Sequence, residues 1–147
     1  MSRDAHDLIR FVQTQETDYE TALSEVRAGR KRSHWMWYIF PQIAGLGASE
    51  MSRRYAVQSR AEAAAYLKHP ALGPRLVEIC DAVLGVEGRS AHDIFGSPDD
   101  MKLRSCATLF AAVSPPGSVF ERVLQKYFRG EPDGQTLRLL ENTSETP

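Results

Sequence analysis

The sequence predicts an all-α protein, a compact single-domain array of about seven or eight short helices. Three observations lead there. Apolar residues recur at helical spacing through most of the chain. Ser and Pro start signals precede these runs, and Gly or Pro follows them. No Asn-Gly or Asp-Gly pair separates alternating strands.

The first helix opens after Asp4, a plausible N-cap, and sets Leu8, Phe11, Val12, Tyr19, Leu23 and Val26 on one stripe until Gly29. The run "SHWMWYIFPQ" fits either a buried strand or a short helix apolar all round, and Pro41 closes it in both cases. Gly45 and Gly47 make the turn that follows. Ser49 caps "EMSRRYAV", and Ser59 begins a capping box, "SRAE", with Glu62 at its third helical position. Leu72, Leu76, Ile79, Cys80, Val83 and Leu84 form the next apolar face, for which Pro74 serves as a start residue. "SAHDIFG" reads as a short turn. "SPDD" then supplies Ser97 as N-cap, Pro98 at the first position, and Asp99 and Asp100 at the positive end of a helix running through "MKLRSCATLFAAV". "SVFERVLQKYF" is amphipathic, and "DGQTLRLLE" closes a domain spanning residues 1–141, leaving 142–147 as a frayed tail.

At 147 residues the chain suits one domain that buries roughly 70% of its unfolded surface, so it needs no disulfides to fold. Its 42% hydrophobic and 25% charged content is that of a globular protein. A net charge of −1 argues against a general affinity for nucleic acid or anionic membrane. No apolar run is long enough to span a bilayer, and "MSRDAHDLIRF" lacks the apolar core of a secretion signal. Cys80 and Cys106 read as reduced core thiols, which suits a cytoplasmic location. The "NTS" at Asn142 is then a chance sequon.

The strings "GRKRSHWMWYIFPQIAGLGAS", "YLKHPALGPRL", "IFGSPDDMKLRSCATLF" and "VFERVLQKYFRGEPDGQTLRLL" together resemble a bacterial family catalogued as domain of unknown function 1810. The likeness covers nearly the whole chain in order. It implies an all-α cytoplasmic protein and turns the Trp35–Phe40 ambiguity toward helix. It implies no activity and transfers no catalytic residue.

Candidate sites therefore rest on the residues themselves. Arg27, Arg30, Lys31 and Arg32 stand just before His34, Trp35 and Trp37. Guanidinium groups suit phosphate or carboxylate, and an indole face suits a planar ring. Gln42 offers a donor and an acceptor to such a ring's edge. Gly45, Gly47 and Ser49 lead into a helix start where an anion finds backbone N–H groups. The expected ligand-binding set is thus Arg30, Arg32, His34, Trp35, Trp37, Gln42, Gly45, Gly47 and Ser49. The bland reading is equally physical: cations near a helix C-terminus complement its dipole, and the aromatic run is core.

A second segment, "SPDDMKLRSCATLF", offers Asp99 and Asp100 as acid, base or ligand groups, with Lys102, Ser105 and Thr108 beyond them. Capping explains the aspartates and back-bonding to the preceding turn explains the hydroxyls. Should chemistry occur, His34, Asp99 and Asp100 are the catalytic candidates. His6, His34, His69 and His92 lack ligand spacing, so no metal and no cofactor is expected. No GxSxG elbow is present. Tyr55 and Tyr66 fit packing better than acid–base work.

Three functions remain. The first is binding of an anionic nucleotide-like or ADP-ribose-like small molecule between residues 30–49 and the helix beginning near 97. The second is a noncatalytic interaction or scaffold domain. The third is weak single-stranded nucleic-acid binding through "GRKRSHW". Whether the chain is an enzyme, and its oligomeric state, stay open.

Overall fold

A computed structural model describes residues 6–142. Among them are nine helices, slightly more than expected, and no strand longer than a single parallel bridge. In chain order they are α1 (Ile9–Arg27), α2 (Met36–Ile39), α3 (Glu50–Arg54), α4 (Arg60–Lys68), α5 (Leu72–Leu84), α6 (Ala91–Phe95), α7 (Asp99–Ala111), α8 (Val119–Phe128) and α9 (Gly134–Asn142). The fold is all-α. The Asp4 cap and the tail beyond Asn142 lie outside the described residues.

α1 ends where its sequence says it should. Gly29 takes a φ of +78°, donating to Val26 O at 2.8 Å, and Arg30 N–H reaches back to Glu25 O at 3.0 Å. This left-handed reversal satisfies two terminal carbonyls and turns the chain back over its own last turn. The "HWMWYIF" run is a single helical turn, α2, stopped before Pro41.

The caps expected at Ser49 and Ser59 are made, and Ser90 and Ser118 cap two further helices that carried no such expectation. Ser49, Ser59, Ser90 and Ser118 each accept the backbone N–H three residues on, at 3.0–3.2 Å. "SAHDIFG", read as a turn, is α6 and carries the complete capping box, Ser90 with Asp93. The box expected at Ser59 is only half made. Glu62 turns its carboxylate to Gln58 N–H at 3.2 Å and to Arg10 at 2.6 Å instead. Ser97 is not the cap of α7: Pro98 holds that position, and the Asp100 N–H donates to Gly96 O at 2.8 Å. The glycine carbonyl takes the donor that a serine hydroxyl would have taken, because Gly96 at φ +73° folds its carbonyl over the helix start.

α7 lies centrally, in contact with α4, α6, α8 and α9, while α5 joins α1, α4 and α8. An aromatic chain runs through the centre: Phe11 edge-on to Tyr66 at 5.2 Å, Tyr66 to Phe110 at 5.2 Å, and Phe110 to Phe120 at 5.7 Å. Gln15 is buried among them, yet its amide donates to Tyr38 O at 2.7 Å and Tyr66 Oη at 2.9 Å. That removes the desolvation cost of a buried polar group. Cys80 and Cys106 are buried free thiols. No helix among the described residues is long and apolar enough to cross a membrane.

Candidate functional site

Among the described residues one parallel bridge, Ile43 with Val57, ties the loop after α2 to the segment between α3 and α4. Val57 N–H donates to Gln42 O and Ala44 N–H to Val57 O, both at 2.8 Å. This clasp fixes the loop 42–47 along one side of a cleft of about 590 Å³. Four sequence-distant segments wall it: 37–47, 52–58, 98–105 and 133–135. Glycine is required on the loop side. At Gly45 (φ +104°) an added Cβ would press on Leu139 of α9 at 3.1 Å, and at Gly47 it would meet Ser52 Oγ at 2.8 Å.

Trp37 stands on the cleft wall, half-buried, with Lys102 Nζ 4.3 Å from its ring centroid. Such a cation over an indole face is worth about 0.5–1 kcal/mol at an exposed site. Lys102 also pairs with Asp99 Oδ1 at 3.2 Å, while the other oxygen of Asp99 holds Lys31 Nζ at 3.0 Å. Lys31 in turn lies 5.1 Å from the Trp35 ring. One carboxylate thus bridges two ammonium groups, each facing a different indole.

Two further donors border the cleft. Among the described residues, the Arg53 guanidinium and the Gln42 amide engage no protein group, and both line the hollow. Asp133 lines it too and brings a negative charge: its Oδ2 accepts from Thr136 N–H at 2.9 Å, from the Thr136 hydroxyl at 2.5 Å and from Ser105 at 3.4 Å. It is the N-cap of α9. The cleft accordingly presents two cations, Arg53 and the Asp99-paired Lys102, together with an amide, an indole face and the Asp133 carboxylate that caps α9.

The residues singled out from sequence divide. Trp37, Gln42, Gly45 and Gly47 line the cleft, as do Pro98, Lys102 and Ser105 from the second segment. The convergence expected of indoles and guanidiniums is corrected. Arg30, Arg32 and His34 are exposed and none lines the cleft, and Trp35 is 1% exposed in the core. Glu25 is the reason. Its Oε1 accepts from Arg32 N–H at 2.8 Å, Ser33 N–H at 3.0 Å and Trp35 Nε1 at 2.9 Å, and its Oε2 accepts from the Ser33 hydroxyl at 2.6 Å. The backbone after α1 is thereby pulled inward, and the arginine side chains are left facing solvent. Ser49 caps α3, lies off the cleft, and leads into a helix of only five residues.

Asp99 reaches the cleft only through Lys102. Asp100 accepts from Met101 N–H at 2.8 Å and lies 3.6 Å from His92 Nδ1. Ser105 and Thr108 both bond back to the preceding turn, at 3.2 and 2.8 Å. Among the described residues, no group of three or more His, Cys, Asp or Glu side chains comes together to hold a metal ion. Arg53, Ser52 and Asp133 were missed by sequence reasoning. Arg53 is one of two adjacent exposed arginines on an unremarkable short helix, and nothing in that pattern says which borders the cleft.

Residues 5–140 match the family described as "Protein of unknown function (DUF1810)". The chain belongs to that family. A crystal structure of the conserved hypothetical protein Rv1873 from Mycobacterium tuberculosis is similar to it: 49% identical, covering 94% of this chain and 99% of that one, with a TM-score of 0.92. No curated protein matches. Membership in DUF1810 accounts for the fold over almost the full chain and carries no chemistry to the cleft, which must be read from its own side chains.

Proposed function

We propose that this DUF1810 protein binds a small anionic ligand bearing a planar ring, nucleotide-like or ADP-ribose-like, in the cleft between residues 37–47 and 98–105. The observation that carries the reading is a half-buried indole on the wall of a cleft that Arg53 and Gln42 also border, neither side chain having a protein partner among the described residues. Trp37 offers the stacking face, Arg53 and Lys102 the positive charge, and Gln42 an edge-reading amide. Arg53 is exposed at the rim and Gln42 is half-buried in the wall. The volume is within the range of small-molecule sites, roughly 300–1,000 Å³. Two buried free thiols, Cys80 and Cys106, suit residence in a reducing compartment such as the cytoplasm.

Thermal unfolding in the presence of AMP, ADP-ribose and NAD, followed by calorimetric titration of any stabilising compound, tests this. Saturable stabilisation by at least one is expected, about 2.7 kcal/mol at a hundredfold excess over Kd, and lost in Trp37→Ala and Arg53→Glu. Uniform absence of stabilisation removes the reading.

A further inference from the structure

We infer that Lys102 is a displaceable cover on Trp37, and that it makes the cleft selective for anions: the indole face opens only when an anion draws the ammonium away. The inference rests on the cleft being a ligand site, and it names the residue that sets which ligands enter.

The Lys102 ammonium occupies the space over the Trp37 ring, 4.3 Å from its centroid. A planar ligand needs that same space. Moving the ammonium ordinarily carries a penalty, because it would strand the carboxylate it neutralises. Here that penalty is small, since Asp99 has a second cation. Lys31 stays on the other oxygen at 3.0 Å, is only 9% exposed against 22% for Lys102, and is further held by donating to Ser33 O. The two lysines therefore have different jobs around one carboxylate. Lys31 is enclosed and fixed, whereas Lys102 is on the cleft side and can exchange Asp99 for another anion without unbalancing the pair it leaves.

An incoming phosphate or carboxylate supplies that alternative partner, and Arg53 borders the same hollow to share it. A neutral ring supplies none, and must compete with both the cation–π contact and the Asp99 ion pair. Charge selection thus precedes ring stacking.

Acrylamide quenching of tryptophan fluorescence in the whole chain tests this without knowing the ligand. Trp35 is enclosed and contributes little, so quenching reports Trp37. Lys102→Ala, at a helix position where alanine is well tolerated, defines the uncovered state and is expected to quench more readily than wild type. Inorganic phosphate is expected to raise wild-type quenching toward the Lys102→Ala value, with no effect of potassium chloride at equal ionic strength and none of phosphate on Lys102→Ala. Unchanged wild-type quenching in phosphate overturns the inference, as does an equal phosphate effect in the variant. Either result leaves AMP or ADP-ribose stabilisation free to succeed or fail on its own.

Discussion

Trp35, the N-cap of α2, and Trp37, inside that single turn, stand two residues apart and meet different surroundings. Trp35 donates its indole N–H to Glu25 at 2.9 Å in the core, and Trp37 borders the cleft beneath Lys102. Trp35→Ala is expected to destabilise the protein by about 3–5 kcal/mol, the range for a fully buried large aromatic. Trp37→Ala is expected to cost distinctly less and to abolish ligand-induced stabilisation. Urea unfolding of both variants with and without ligand checks the division.

Glu25 ties the segment after α1 to the core, and its titration should be visible in stability. Burial pushes its pKa upward, but the Ser33 hydroxyl, the Arg32 N–H, the Trp35 indole and the Ser33 N–H outweigh that and hold it at about 2, below its ordinary 4.5. A depressed carboxylate pKa contributes stability that is fully present above the unfolded value and is lost as pH falls through the folded one. Stability is therefore expected to decline between pH 4.5 and 2, with a shallower decline in Glu25→Gln. Glu25→Ala also strands the Trp35 N–H, a loss of about 1–3 kcal/mol at neutral pH, read by chemical denaturation.

Arg10 and Glu62 form an ion pair at 2.6 Å with the Glu62 side chain almost wholly enclosed. Arg10 further donates to Arg54 O at 2.9 Å and Ala56 O at 2.7 Å, joining α1 to the segment before α4. Removing only the arginine leaves a buried, uncompensated carboxylate. Arg10→Met is expected to lose about 3–5 kcal/mol, and Arg10→Met combined with Glu62→Leu to regain a substantial part. A double-mutant cycle from urea midpoints gives the coupling.

Gly73 in the first turn of α5 and Gly85 at its C-cap make a controlled comparison. A Cβ at Gly73 would lie 2.1 Å from the Leu67 carbonyl oxygen, a backbone atom of α4 that has nowhere to go. At Gly85, φ −77°, the nearest atom would be at 3.5 Å, an ordinary contact. Gly73→Ala is expected to be destabilising by at least the roughly 1–3 kcal/mol of overpacking. Gly85→Ala is expected to be neutral or to stabilise by up to about 1 kcal/mol. Melting temperatures of the pair decide it.

Burial drives the thiol pKa values of Cys80 and Cys106 upward, so neither presents thiolate at neutral pH. Both are expected to resist a thiol reagent in native protein and to react fully in denaturant, which a spectrophotometric titration of accessible thiols measures directly.

The helical periodicity and serine caps made most of the fold legible. Phe11, Tyr19, Leu23 and Val26 line the buried side of α1, and Leu72, Leu76, Ile79, Cys80 and Val83 that of α5, as their spacing indicated. The apolar run at Trp35–Phe40 had no readable period, because one turn buried on nearly all sides shows none. Around the cleft, nearness in sequence misled. Arg30 and Arg32 adjoin the indoles along the chain, but the reversal at Gly29 and the grip of Glu25 send them elsewhere. The cations that do border the cleft come from α3 and α7, and such long-range meetings leave no local pattern.

The cleft's four walls include residues 133–135 at the head of α9, and Gly45 on the opposite wall rests against Leu139 from the same helix. During synthesis, then, a nascent polypeptide that already holds Trp37 and Lys102 still has an open-sided trough. On the proposed reading, a cleft finished by α9 can hold a ligand only once that helix has docked, and removing α9 is expected to weaken binding while leaving Trp37 and Lys102 in the chain.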